Sequence, residues 1–108
     1  MSQQDLIKTL VECAATCQMC ADACLNEEDV HMLTRCIKLD LDCSAICTVT
    51  ANLAIKNAEI LNKQLEVCAE ICRMCAEECE IHAKQGMQHC KECAEACRRC
   101  EEACLQYV

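Results

Sequence analysis

The stretch "CAEICRMCAEEC", Cys68 to Cys79, sets four cysteines in twelve residues at steps of four, three and four. A helix turns about 100° per residue, so measured from the first of them the other three cysteines fall near +40°, −20° and +20°. Cys68, Cys72, Cys75 and Cys79 therefore share one narrow stripe of a helix. Glu70 and Glu77 point roughly opposite, as an amphipathic helix requires.

The phrase recurs on both sides. "CAATCQMCADAC" carries Cys13, Cys17, Cys20 and Cys24 in the same register, with Asp22 outward. "CAEACRRCEEAC", preceded by Cys90, extends the stripe to five through Cys93, Cys97, Cys100 and Cys104, with Glu95 outward. The remaining copy, "CIKLDLDCSAIC", holds Cys36, Cys43 and Cys47 and puts Asp40 where the second cysteine would stand. Four helical units follow, over 3–25, 29–56, 60–84 and 88–106. They are joined by "LNEED", a segment near "KNAEI", and "KQGMQH", in which Gly86 can supply the left-handed turn after a helix. Links this short make neighbours antiparallel. The predicted fold is all-α, an antiparallel up-down-up-down four-helix bundle forming one domain over 1–108, with its cysteine stripes facing the core.

Composition agrees with that reading. The chain has 108 residues, 16 of them Cys, one Gly, no Pro and a single aromatic residue, Tyr107. So little bulky hydrocarbon means that the core must bury sulfur, and the lack of Pro and Gly argues against a turn-rich β fold and against disorder. The formal charge of −8 disfavours nucleic acid, whose phosphates would be repelled, and an anionic membrane surface. "MSQQDLIKTLVECAATC" lacks a basic region followed by a long apolar one, so no signal peptide is expected. The longest uncharged run, Cys43 to Ile55, includes Ser44, Thr48, Thr50 and Asn52 and falls short of a membrane span. A cytosolic location, where thiols stay reduced, is the expectation.

Antiparallel order distinguishes the two ends. One gathers Leu6, Ile7, Leu10, Val11, Val49, Leu53, Ile55, Ile60, Leu61, Leu65, Val67 and Leu105 into an expected aliphatic plug. The other gathers His31, His82, His89, Met32 and Met87 into a polar mouth.

Cysteine can serve as a small core hydrophobe, but 16 copies standing where Leu or Ile would pack better call for another explanation. Disulfides along one stripe are disfavoured, because helical neighbours hold their Cβ atoms about 5–6 Å apart and a bridge prefers about 3.5–4.5 Å. Soft metal ions remain: Cu(I), Zn(II) or iron–sulfur clusters. Zinc prefers isolated quartets, often as paired CxxC motifs on loops, and four divalent ions would leave half of the thiolate charge uncompensated in the core, a costly arrangement. A monovalent ion in roughly one-to-one ratio with thiolate leaves the interior near neutral. Cluster-binding spacings usually end in a remote Cys and a Pro. Zinc binding in the manner of a metallothionein remains the alternative. A metal shuttle would need few, exposed ligands, and a redox enzyme would need one cysteine set apart as a low-pKa thiolate.

With CxxxCxxCxxxC on its helices and no signal peptide, the chain resembles the cytosolic bacterial copper storage proteins over essentially its whole length, "CIKLDLDCSAIC" included. The resemblance implies a homotetramer of bundles, each storing many Cu(I) ions, roughly one per Cys, for copper storage and detoxification rather than catalysis. The implied ligands are Cys13, Cys17, Cys20, Cys24, Cys36, Cys43, Cys47, Cys68, Cys72, Cys75, Cys79, Cys90, Cys93, Cys97, Cys100 and Cys104, with His82 and His89 as candidates at the mouth. His82 lies near −40° on its stripe and His89 about 60° from the centre of its own, while His31 falls well off and faces solvent. A His at a helix end also interacts with the helix dipole. Met32 and Met87 could pass Cu(I) inward; Met19 and Met74 face sideways. Asp40 points among the thiols, where a hard carboxylate suits a hydrogen-bonded or cation-paired structural role.

Overall fold

Ser2 opens the first helix with a reciprocal pair of hydrogen bonds. Its Oγ accepts from the Asp5 amide at 3.1 Å, and Asp5 Oδ2 accepts from the Ser2 amide at 3.3 Å, so two otherwise orphaned donors are satisfied. In the computed structural model, which describes residues 1–107, this helix is α1, Gln3–Leu25. It is followed by α2 (Thr34–Ile55), α3 (Leu61–Ala83) and α4 (Gln88–Tyr107), with no strand among the described residues.

Two left-handed residues end helices. Asn57 (φ 50°) follows α2, where the Ala58 amide reaches back to the Leu53 carbonyl at 3.0 Å. Gly86 (φ 95°) follows α3, where the Met87 amide reaches His82 at 3.3 Å. Both are the five-residue return bond that satisfies terminal carbonyls around a residue of positive φ.

Each helix packs antiparallel on its sequence neighbour, and α4 returns against α1, in a rod of 44 × 19 × 18 Å. The diagonal pairs, α1 with α3 and α2 with α4, bring no Cα atoms within 8 Å; their meeting is left to the side chains on the axis. Alanines at 21, 69, 76, 94, 96 and 103 are buried and let adjacent helices approach closely. Polar stitches fix the seams. Ser44 Oγ donates to the Ala14 carbonyl at 2.9 Å between α1 and α2, and Gln64 Nε2 donates to Thr50 Oγ1 at 3.1 Å between α2 and α3. Arg98 forks onto both Glu80 oxygens at 2.9 and 3.0 Å between α3 and α4. Among the described residues, no helix is long and apolar enough to cross a membrane.

Two expectations are corrected. The helix expected from 29 begins as a 3-10 turn, Val30–Leu33, with the α-helix starting at Thr34. The tighter winding, set by a 2.9 Å bond from the Met32 amide to the Asp29 carbonyl, turns Leu33 into the core and leaves His31 and Met32 outside. The aliphatic plug is also narrower than expected. Leu6, Leu10, Leu61 and Leu65 fill it, with Ile7 and Leu53 packed partly against them. Val11, Val49, Ile55, Ile60, Val67 and Leu105 are at least half exposed, because they lie off the stripes that the cysteines define.

Candidate metal centre

The register that puts Leu10 in the plug puts Cys13, Cys17, Cys20 and Cys24 on the axis above it, and the other three helices repeat the arrangement. All 16 thiols are free, and each is at most 1% exposed. Sulfurs meet between helices: Cys17 with Cys97 and Cys36 with Cys79 at 3.6 Å, Cys43 with Cys72 and Cys47 with Cys68 at 3.8 Å. Cys47 also reaches Cys100 at 3.9 Å.

These approaches build overlapping four-donor sets along the rod, the donors in each lying within 4.8 Å of one another. From the plug towards the mouth they include Cys13, Cys47, Cys72 and Cys100; then Cys13, Cys17, Cys43 and Cys97; then Cys17, Cys75, Cys93 and Cys97; and at the mouth Cys20, Cys24, Cys36 and Cys90. Cys13, Cys17 and Cys97 each belong to two sets. A thiolate has lone pairs enough to bridge two soft cations, so shared sulfurs suit a continuous chain of ions better than separate quartets. Cys68 and Cys104 lie at the plug end of the same network, Cys68 through its contact with Cys47.

Two buried groups on the axis, Cys24 and Asp40, hold their protons more tightly than such groups ordinarily do. Burial, followed by the charge of Cys36, pushes the Cys24 thiol up to about 12. Burial pushes the Asp40 carboxyl up to about 11. Metal coordination at Cys24 must therefore release a proton, as thiolate coordination generally does.

Asp40 Oδ1 accepts from the thiols of Cys75 at 3.1 Å, Cys93 at 3.3 Å and Cys79 at 3.7 Å, and its Oδ2 has no partner among the described residues. Of the two expected roles, the hydrogen-bonded one matches this geometry. Cation pairing does not, since no ion pair of Asp40 occurs among the described residues. The carboxylate also completes a set with Cys20, Cys79 and Cys93, a position among donors that treating it as a structural residue alone did not capture.

The histidines divide. His82 is buried, as its inward register predicts, but its Nε2 is 2.9 Å from Glu78 Oε2; Glu78 in turn accepts from Arg35 at 2.7 Å. His89, angularly farther from its stripe, is the one among sulfurs. Its Nδ1 lies 3.5 Å from Cys90, 3.7 Å from Cys20 and 3.9 Å from Cys24. The first turn of α4 gives the ring room to lean across the bundle end, which a helical projection does not register; adjacency to Cys90 was the available signal. His31 is exposed. Met32 is 67% exposed, Met87 packs partly against the core, Met19 is exposed and Met74 is partly buried.

A family model described as copper storage protein matches residues 1–108. Among solved structures, a cytosolic copper storage protein from Streptomyces lividans with five coppers is 41% identical, covers 96% of this chain and 89% of its own, and superposes with a TM-score of 0.92. The same Streptomyces protein loaded with 10 copper equivalents matches at the same identity and TM-score, with 96% and 81% covered. Apo copper storage protein 3 from Bacillus subtilis is 31% identical, covers 97% of both chains, and has a TM-score of 0.87. An uncharacterised cysteine-rich protein of Bacillus subtilis, YhjQ, is 34% identical over 62 residues, and the match spans 57% of each chain.

Proposed function

The chain belongs to the copper storage protein family, and from that premise we propose that it stores Cu(I) in the cytosol at roughly one ion per cysteine, coordinated by the thiolates along the bundle axis. The observation that carries this reading is the unbroken run of buried free thiols whose donor sets share sulfurs. A monovalent cation per thiolate cancels the core charge ion by ion, and sequestration away from water and oxygen limits redox cycling. The role is holding rather than turnover.

The mouth lined by Cys20, Cys24, Cys36, Cys90 and His89 is the route inward, with Met87 beside it. His82, held by Glu78, serves as a ligand only after turning from that carboxylate. A homotetramer, suggested by the family resemblance, would give cover to exposed Val49, Val67 and Leu105; light scattering of the copper-free and loaded protein tests the assembly.

Anaerobic titration of the reduced protein with Cu(I) should saturate near the 16 cysteines per chain. Saturation at one or two ions would sink the storage reading. The zinc-holding alternative predicts that Zn(II) competes for the whole core, which a metal count after mixed loading decides.

A further inference from the structure

The mouth differs from the rest of the thiol run in three respects: it contains a nitrogen donor, it is partly open, and its histidine is oriented by a carboxylate. In tetrahedral zinc sites Zn–S is about 2.3 Å and Zn–N about 2.0–2.1 Å, so a coordinated nitrogen stands about 3.6 Å from each sulfur. His89 Nδ1 stands 3.7, 3.9 and 3.5 Å from the sulfurs of Cys20, Cys24 and Cys90, and these three sulfurs lie within 4.8 Å of one another. The ring's other nitrogen, Nε2, is 3.4 Å from Glu27 Oε2. A carboxylate there holds the proton on Nε2 and leaves the Nδ1 lone pair facing the sulfurs, the outer arrangement common to zinc-bound histidines.

We propose that the copper-free protein binds one Zn(II) at its mouth, in a Cys3His site formed by Cys20, Cys24, Cys90 and His89, and that incoming Cu(I) displaces it.

Charge restricts the divalent ion to this place. Three thiolates and a neutral imidazole around Zn(II) leave one negative charge at the bundle end, where the sulfurs are at most 1% exposed but the His89 ligand beside them is 26% exposed. A deeper all-sulfur set, such as Cys13, Cys47, Cys72 and Cys100, would leave two in a dry interior, where uncompensated charge is expensive. Cu(I) has no such restriction, so copper fills the length of the rod and zinc only its opening. Binding exchanges three thiol protons for the metal, with no change of oxidation state. A zinc-closed mouth also keeps its cysteines coordinated, and so protected from oxidation, until copper arrives. The zinc assignment rests on the geometry of the mouth and not on copper capacity, so the Cu(I) titration and the zinc experiment can fail independently.

The test is anaerobic equilibrium dialysis of the reduced, copper-free, full-length chain against Zn(II), with elemental analysis. One zinc per chain is expected, released when Cu(I) is added. His89→Ala should abolish tight retention, Glu27→Gln should weaken it about 10–100-fold, and exposed His31→Ala should leave it unchanged. Co(II) in place of zinc should give intense tetrahedral visible bands in the wild type, which weaken in His89→Ala as the site loses its nitrogen donor and its hold on the metal. Circular dichroism verifies that each variant remains helical. Zinc retained unchanged in His89→Ala, several equivalent zincs per chain, or zinc that survives excess Cu(I) overturns the proposal.

Discussion

Cys75 on α3 donates its thiol to Oδ1 of Asp40 on α2 across 3.1 Å, deep in a core otherwise lined by sulfur. Because burial pushes this carboxyl up to about 11, Asp40 is protonated in the copper-free fold at neutral pH. In the unfolded chain it ionises at about 3.9. Between those values the unfolded state holds fewer protons than the folded state, so the contribution of Asp40 to stability is complete below about pH 4 and declines as pH rises towards 11.

Asp40→Asn keeps the shape and cannot ionise. Denaturant unfolding of the copper-free protein between about pH 5 and 7, below the ordinary thiol range, should show the wild type losing up to about 1.4 kcal/mol per pH unit through this residue, and the variant losing less. Equal slopes in the two proteins would contradict a buried neutral carboxyl. Asp40→Ala, which removes the acceptor of three thiols, should lower stability and leave the Cu(I) capacity unchanged. A drop in capacity would make the carboxylate a ligand.

Gln3 links the start of α1 to the end of α2. Its Nε2 donates at 2.7 Å to the Ala54 carbonyl, one of the last carbonyls of α2, which also accepts from the Asn57 amide at 3.2 Å. Gln3→Ala should therefore cost about 1 kcal/mol, read from the urea midpoint at unchanged slope. Copper capacity should stay the same, since Gln3 sits at the end remote from the mouth.

Most of this architecture was legible because one periodicity encodes it. Steps of four and three fix a stripe, a stripe repeated on four helices fixes a bundle axis, and every cysteine assigned to that axis is buried on it. What escaped the sequence depends on geometry that a projection discards. Val30–Leu33 winds as a 3-10 turn that buries Leu33. Val49 and Val67 lie off the stripes and face outward despite their hydrophobicity. His89 enters the thiol cluster through the reach of its ring at a helix start, which its angle on the wheel understates. The partners of Asp40 come from α3 and α4, so no local pattern could name them.

Leu65 is fully buried in the plug below the thiols, where truncation leaves a cavity that a rigid helix pair fills poorly. Leu65→Ala should destabilise the copper-free protein by about 2–5 kcal/mol. Copper binds the folded state, and its stabilisation depends on affinity and free ion rather than on the stability of the fold beneath. Loading should then raise the unfolding free energy of wild type and variant by the same increment, leaving the deficit intact while both proteins become hard to melt. Paired thermal and denaturant unfolding, copper-free and at fixed free Cu(I), measures the two increments. Unequal increments would mean that the aliphatic plug and the thiolate chain are coupled, with packing at one end altering sulfur geometry along the rod.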